Sequence, residues 1–171
     1  MRAFFGLEPN AETKSAIEVW RNQAFPQLLA PVPAENFHIT LAFLGNITAQ
    51  QLHSLTRLVD EMPRVSAFDI SLNQLGYWSK PKAFWLGCEK TAIEHLNLVA
   101  EINKLAQMAG LRLQQQNYTA HLTLARKCKA KPDIFSAAAD FQWRANEFHL
   151  FASKPSEQGV YYPIQQSWLL G

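Results

Sequence analysis

Three stretches of the chain space their apolar side chains three and four residues apart, the pattern of an amphipathic helix. They cover about residues 10–24, 49–61 and 91–109. Asn10 and Thr48 stand at the start of the first two stretches, where their side chains can cap free backbone N–H groups. Gly110 follows the third stretch and is a typical helix terminator. The chain is therefore predicted to form three helices.

Other stretches are apolar throughout or alternate apolar and polar side chains, which is typical of strands. They are residues 2–8, the stretches that start at 38 and at 121, residues 66–78, the run AFWLGCE at 83–89, residues 146–153, residues 160–164 and a short apolar end at 168–170. Only the turn-like residues 79–82 separate the stretch 66–78 from AFWLGCE. We therefore expect these two stretches to form an antiparallel pair.

Four segments show neither pattern. Residues 26–36 contain three prolines and predict a loop. The polar residues 114–117 lead into the strand at 121, residues 129–140 predict a mixture of loop and short helix, and residues 154–159 predict a flexible turn.

The predicted order is βαβαββαβ followed by further strands, and a strand, a helix and a second strand occur in it twice. No glycine-rich phosphate turn follows the first strand, so a doubly wound parallel sheet is disfavoured. A chain of 171 residues suits one domain or two small lobes that share a core. We predict an α+β fold with antiparallel or mixed sheets, formed by residues 1–171 as one domain.

The composition is that of a globular protein, with 48% hydrophobic and 18% charged residues. A formal net charge of +2 is compatible with an anionic ligand but far from the dense basic surface of a duplex-binding protein. The N-terminal sequence MRAFFGLEPN is too poor in apolar residues for a signal peptide, and no run reaches membrane-spanning length. Cys88 and Cys128 lack metal-site spacing and are expected to be free thiols. We expect a cytoplasmic protein without membrane association.

One short sequence pattern occurs twice: HITL starts at His38 and HLTL starts at His121. In a strand, residues two apart point to the same face, so each histidine shares a face with the threonine two positions later. The aliphatic residues between them face the core. Two such strands can build one site between two halves of a protein from His38, Thr40, His121 and Thr123.

This set of side chains suits the cleavage of a phosphodiester. Imidazole titrates near neutral pH, so one histidine can accept a proton while the other donates one on the opposite side of phosphorus. Thr40 and Thr123 can donate hydrogen bonds to the nonbridging oxygens, and Arg126 can add charge-assisted ones. The scheme needs no metal and no cofactor.

Other interpretations of the histidines are weaker. A catalytic zinc needs about three protein ligands, and neither motif offers a second ligand at H-x-H or H-E-x-x-H spacing. No cysteine or serine lies in a nucleophile elbow. His53, His95 and His149 lie outside the motifs and are expected to be structural or surface residues.

Several aromatic side chains could stack a nucleobase, although most aromatics in a small α+β protein belong to the core. These candidates are Phe43, Tyr77, Trp78, Phe84, Trp85 and Tyr118. Phe43 follows a motif strand and is the leading candidate.

The segments HITLAFLG at 38–45 and HLTLAR at 121–126 resemble the paired signatures of the two-histidine phosphoesterase superfamily. More specifically, the chain resembles the bacterial RNA 2′,3′-cyclic phosphodiesterases, historically named 2′-5′ RNA ligases. Further similar segments are RAFFGLEP near the start, GYW at 76–78, WLG at 85–87, and EFHLFAS and YYPI near the end. The resemblance implies a bilobal, pseudo-twofold fold in which two sheets line a central groove and helices pack outside.

The resemblance also implies a reaction and a role for each motif residue. The reaction is metal-independent hydrolysis of an RNA 2′,3′-cyclic phosphate end to a 2′-phosphomonoester, with 2′-5′ joining of RNA as its reverse. His38 would be the acid on the departing 3′ oxygen and His121 the base on water. Thr40 and Thr123 would hold the phosphate, and Arg126 matches a substrate-contacting arginine.

Two departures from the family pattern concern the surroundings of the site. Ala120 stands where many relatives have proline, and residues 154–159 are less basic than in some relatives. The expected partner is an RNA with a cyclic phosphate end, tRNA halves among the candidates, and the expected state is a monomer. Two alternatives stay open: a phosphodiesterase of small cyclic nucleotides or 2′-5′ oligonucleotides, and a non-catalytic RNA- or nucleotide-binding module.

Overall fold

The structure is a computed structural model that describes residues 1–113, 117–133 and 138–171. Its described part contains three α-helices: α1 (Ala11–Ala24), α2 (Ala49–Glu61) and α3 (Ile93–Met108). Each helix lies where the apolar spacing predicts it. Asn10 Oδ1 accepts a hydrogen bond from the Thr13 N–H (2.8 Å), and Thr48 forms a reciprocal capping box with Gln51. The two predicted N-terminal caps are therefore confirmed.

The strands of the described residues pair only in antiparallel fashion. They are β1 (Arg2–Leu7), β2 (Ala30–Pro31), β3 (Ile39–Asn46), β4 (Phe68–Leu72), β5 (Gln74–Trp78), β6 (Ala83–Gly87), β7 (His121–Arg126), β8 (Phe141–Ala145), β9 (Glu147–Ala152), β10 (Lys154–Ser156), β11 (Gly159–Tyr161) and β12 (Ile164–Leu169). A 3₁₀ turn at Ala34–Asn36 precedes β3. The predicted α+β class is confirmed.

The main sheet has the order β12-β9-β1-β3-β7-β6-β5, and β2 also pairs with β7. Its two halves meet where β3 and β7 share a single residue pair, Ile39 with Leu122. Each half contains a strand, a helix and a motif strand: β1, α1 and β3 in one, and β6, α3 and β7 in the other. The internal repeat predicted from the sequence is therefore present, but the two sheets that the resemblance implies are joined here as the two halves of one main sheet.

The predicted hairpin between residues 66–78 and AFWLGCE is only half correct. The Asn73 N–H donates to Gly87 O (2.9 Å), and Asn73 Oδ1 accepts from the Glu89 N–H (2.9 Å), which breaks the alternating stretch into two strands. The second of them, β5, pairs with β6 as predicted, but β4 pairs with β8 in a separate small sheet. The strand β8 was not predicted.

Three of the four loop predictions differ in outcome. Residues 154–159 were predicted to be a turn, but they contribute to the β10–β11 hairpin. Residues 114–116 of the predicted polar segment 114–117, and residues 134–137 of the predicted segment 129–140, lie outside the described residues.

An apolar cluster packs the helices against the sheet. Its largest fully buried aromatic side chains are Phe5, Phe37, Phe84 and Phe148. The buried Arg21 of α1 donates from Nη1 to Val32 O (2.6 Å) and to Leu124 O (3.1 Å), and so fastens the proline-rich loop to β7. No helix in the described residues is long and apolar enough to cross a membrane.

Candidate active site

His38 lies one residue before β3, where backbone and aromatic neighbours fix its ring. Its Nδ1 lies 2.8 Å from Asn36 O, and its Nε2 lies 3.2 Å from Thr40 Oγ1. The rings of Phe4 and Tyr162 pack on the imidazole with centroid distances of 4.7 and 5.0 Å. The imidazole and hydroxyl of the first motif are therefore neighbours, as the strand period predicts.

His121 is the first residue of β7, and a backbone carbonyl and aromatic rings hold it as they hold His38, but in the described residues no hydrogen bond joins its Nε2 to Thr123. Its Nδ1 lies 2.8 Å from Thr119 O, and the Trp78 ring packs edge-on with a centroid distance of 4.6 Å. The ring centroid of Trp85 lies 5.9 Å from that of His121. Its indole lies against Gly76 and Gly87, where any Cβ would collide with the ring.

The two histidines hold the same tautomer. A carbonyl oxygen can only accept, so in each ring Nδ1 carries the hydrogen and donates to the carbonyl two residues earlier. The neutral ring therefore presents its Nε2 lone pair on the side opposite that bond. His38 and His121 thus form a matched pair of proton acceptors, each of which becomes a donor once Nε2 is protonated.

A β-bulge in each motif strand brings one more side chain to the groove. In β3, Gly6 pairs with Thr40 and Phe5 pairs with Ala42, so the buried Leu41 is skipped. Phe43 consequently pairs with Phe4, the residue that packs on His38, and points to the same face. Without the bulge, strict alternation would put Phe43 on the face opposite Thr40.

The second motif repeats this arrangement. Trp85 pairs with Thr123 and the buried Phe84 pairs with Ala125, so Leu124 is skipped. The next residue, Arg126, returns to the face that carries Thr123. The predicted substrate contacts Phe43 and Arg126 therefore occupy equivalent positions, three residues after each motif threonine.

Burial and nearby positive charge keep both histidines neutral. The pKa of His38 is lowered from 6.5 to about 4, mainly by burial and in smaller part by the charge of Arg126, while the bond to Asn36 O opposes the shift. Burial also lowers the pKa of His121, with Arg126 adding to the effect and the bond to Thr119 O opposing it. An anion bound beside Arg126 would offset these effects.

A cavity of about 220 Å³ opens between the two halves. His38, Thr123 and Arg126 line it, and the β10–β11 hairpin contributes Gly159 and Val160, whereas Thr40, Phe43 and His121 are not among its lining residues. The cavity is open to solvent and large enough to admit a phosphate group with part of a nucleotide.

The remaining candidates from the sequence have other surroundings. His53 is exposed on α2, His95 is buried on α3, and His149 is buried on β9, where it bonds Ser167. Among the aromatic candidates, Phe84 is in the core, and the hydroxyls of Tyr77 and Tyr118 bond backbone carbonyls. Phe43 is 50% exposed, with the Arg2 guanidinium 4.7 Å from its ring centroid. Within the described residues, no three His, Cys, Asp or Glu side chains gather as metal ligands.

Sequence reasoning missed the groups that hold the two histidines in place. Phe4 and Tyr162 lie in predicted strands and in the family-like segments RAFFGLEP and YYPI, but nothing singled them out as contacts of a histidine, and the carbonyls of Asn36 and Thr119 carry no residue-specific signal. A partial clue to Phe4 was available, because the first strand of each repeat must lie beside its motif strand.

Comparison with known proteins identifies the family. The model of the LigT-like phosphoesterases matches the chain twice, over residues 7–85 and 86–162. The RNA 2′,3′-cyclic phosphodiesterase of Escherichia coli K12 is 28% identical over 170 residues, which cover 99% of this chain and 96% of that protein. The protein of the same name from Aquifex aeolicus is 26% identical, covering 100% of this chain and 98% of its own length.

Solved structures agree with the sequence comparisons. The crystal structure of E. coli LigT complexed with 3′-AMP superposes with a TM-score of 0.92 at 28% identity, covering 99% of this chain and 97% of that one. Both the repeated family match and the shared fold extend over nearly the whole chain. The chain belongs to the LigT-like phosphoesterase family.

Proposed function

We propose that this protein hydrolyses 2′,3′-cyclic phosphates at RNA ends to 2′-phosphomonoesters, with His38 and His121 as its acid and base. The observation that carries the proposal is the matched pair of histidines with fixed tautomers. Thr40, Thr123 and Arg126 flank the pair on the groove face. The family relatives named for this activity and the LigT complex with a nucleotide support the same conclusion.

The reaction moves one proton in and one proton out. His121 Nε2 takes a proton from water as the water oxygen attacks phosphorus. The bond from phosphorus to the 3′ oxygen breaks, and His38 Nε2–H donates its proton to that oxygen. The products are a free 3′ hydroxyl and a 2′-phosphomonoester. Exchange with solvent then returns each histidine to its starting state, and in water this direction dominates over the joining of RNA ends.

The other site residues act on charge and position. Thr40 and Thr123 donate hydroxyl hydrogen bonds to the nonbridging oxygens, where negative charge grows as water attacks. Arg126 adds a charge-assisted bond to the same oxygens. Phe43 offers its exposed ring to the terminal base.

The acid role of His38 requires help from the substrate. A pKa of about 4 leaves this imidazole neutral in the free protein at pH 7. The negative charge of the cyclic phosphate favours the protonated ring and offsets Arg126. Substrate binding and proton uptake are therefore coupled, and the protonated ring is the form that can donate to the departing oxygen.

The proposal extends to the setting in which the protein works. We propose that it acts as a monomer formed by one bilobal domain, on RNA ends such as those of tRNA halves. The two free thiols, Cys88 and Cys128, support a reducing compartment such as the cytoplasm.

The test is the hydrolysis rate of a cyclic-phosphate-ended RNA in EDTA. His38→Ala and His121→Ala should each lower kcat by roughly 10²–10⁴-fold, the usual contribution of an acid or base. His53→Ala, on the exposed face of α2, is the matched control and should keep the wild-type rate. An inert wild type, or full activity in either motif variant, would reject the proposal.

Two results with the wild-type protein would instead support the alternative functions. A wild type that turns over 2′,3′-cyclic mononucleotides much faster than RNA acts on small nucleotides. A wild type that binds RNA without turnover is a binding module.

A further inference from the structure

Exposed basic side chains gather at the end of the sheet where β7 finishes. We call Lys80, Lys82, Lys127 and Lys129 the basic arc. Lys127 lines the cavity together with His38 and Arg126, so the arc begins at the candidate active site. Lys80 and Lys82 belong to the turn between β5 and β6, on the far side of β7 from β3.

Backbone contacts hold the two loops of the arc together. The Cys128 N–H donates to Lys82 O (3.0 Å), which joins the segment after β7 to the turn before β6. Tyr77 Oη donates to Cys128 O (2.6 Å) from the neighbouring strand β5. The basic arc is therefore one surface with a fixed shape.

Two of the lysines adopt a backbone conformation that favours glycine. Lys82 has φ 55° and Lys127 has φ 57°, in the left-handed region. Such strain persists only where the surroundings hold it, and it is concentrated at functional sites. Glycine at either position would relieve the strain. Lysine at both positions therefore points to a need for positive charge.

The charge of the arc is available to a partner. In the described part of the chain, none of its four lysines forms an ion pair. The sequence segments 79–82 and 126–131 contain no Asp or Glu. The arc and Arg126 hold five of the sixteen Lys and Arg, against fourteen Asp and Glu, so the rest of the chain is net negative. Positive potential is thus concentrated beside the candidate active site.

We infer that the basic arc binds the phosphodiester backbone of the RNA that precedes the cyclic phosphate end. This inference rests on the proposed function, which puts that end between the two histidines. Lysine contacts to phosphates give affinity without base specificity, and they weaken as salt rises. The protein should therefore prefer an RNA strand over a cyclic mononucleotide, and this preference should be salt-dependent.

The experiment compares Lys82→Gln/Lys129→Gln with wild type. Lys90→Gln/Lys104→Gln is the matched control, since it removes two exposed lysines from outside the arc. Each protein is assayed for kcat/KM at several salt concentrations. The substrates are a 2′,3′-cyclic mononucleotide and a single-stranded RNA of about ten nucleotides with a cyclic phosphate end. Direct binding of the same RNA is measured by fluorescence anisotropy.

The arc variant should lose salt-dependent preference for the RNA and keep wild-type turnover of the mononucleotide. Two single-strand phosphate contacts correspond to a salt slope of about 1.4, so raising salt from about 50 to 200 mM should weaken wild-type binding about sevenfold more than binding by the variant. The control should behave like wild type.

Three outcomes would overturn the inference: an arc variant with wild-type kcat/KM and affinity for RNA, an equal loss in the control, or an equal loss on the mononucleotide. If wild type hydrolyses neither substrate, the proposed function fails. In that case the anisotropy measurement alone tests RNA binding by the basic arc. Equal RNA affinity of the arc variant and wild type would reject the inference.

Discussion

Replacing Tyr118 with phenylalanine should loosen the joint between the two halves of the protein. Tyr118 Oη donates to Thr40 O (2.9 Å) and lies 2.9 Å from His95 Nε2. Burial lowers the pKa of His95 to about 4, so that ring is neutral at pH 7 and donates its Nε2–H to the tyrosine oxygen. Because β3 and β7 share only the pair of Ile39 with Leu122, this partly buried chain of hydrogen bonds is a second connection between them.

The size of the effect follows from the groups left behind. Phenylalanine keeps the ring but leaves Thr40 O and His95 Nε2–H without a partner. An unsatisfied buried polar group costs about 1–3 kcal/mol, so the free energy of unfolding should fall by about 3 kcal/mol. For a chain of this length, that decrease corresponds to a loss of roughly 6–12 °C in Tm.

Urea unfolding followed by tryptophan fluorescence measures the change. Tyr161→Phe is the matched control, because that residue is 46% exposed on the β10–β11 hairpin, and its stability should be unchanged. We also expect Tyr118→Phe to lower kcat more than it changes KM, since the connection sets the position of Thr40 relative to His121. A Tyr118→Phe protein within about 0.5 kcal/mol of wild type would refute this reasoning.

Further predictions concern pH and the site residues. Both motif histidines have pKa values below 6.5, and the reactive free protein carries a proton on one of the two. The fraction of this form, and hence kcat/KM, should therefore fall about tenfold per pH unit above pH 6.5. A flat kcat/KM profile up to pH 8 would contradict this expectation. The folded-state pKa of His95 lies below its unfolded value of 6.5, so the unfolded chain binds more protons, and lowering the pH from 6.5 to 4 should reduce the free energy of unfolding by about 3 kcal/mol. His38, whose pKa is also about 4, should add a loss of similar size, so His95→Gln should remove only the His95 contribution to this pH dependence in urea titrations. Arg126→Ala should lower kcat about 10²-fold. It should also move the kcat/KM profile to higher pH, because the Arg126 charge lowers the pKa of both histidines. An unchanged profile would show that Arg126 does not act on the histidine pKa values. Phe43→Ala should raise KM about tenfold with kcat unchanged, and an unchanged KM would remove the base-stacking role.

Local sequence signals predict the helices and the motif pairs well. Asn10 and Thr48 cap their helices through bonds between neighbours in the chain, which a sequence exposes directly. The pairing of His38 with Thr40 follows from the two-residue period of a strand. Elements that depend on distant partners are harder to predict. Asn73, the residue after β4, forms hydrogen bonds with Gly87 of β6 and with Glu89 beyond it. The partner of β8 in the described structure is β4, which lies about seventy residues earlier in the chain.

The candidate site likewise combines features that local sequence predicts with features that depend on the neighbouring strand. Strict two-residue alternation would put Phe43 and Arg126 on the face opposite the motif threonines. The bulges at Leu41 and Leu124 shift the alternation by one residue and so place both side chains on the threonine face. Bulges are set by the register between two strands, so one strand's sequence does not reveal them. The resemblance to known phosphodiesterases predicted Arg126 at the site without this geometry, and the bulge supplies the physical reason.

The phosphorus NMR spectrum of the product tests the central proposal most directly. A cyclic-phosphate-ended RNA incubated with wild-type protein in EDTA should give a 2′-phosphomonoester, because the proposed acid, His38, protonates the 3′ oxygen. Retention of the cyclic phosphate signal would contradict catalysis by the paired histidines. A 3′-phosphomonoester would show that the 2′ oxygen departs instead and would contradict the proposed direction of attack.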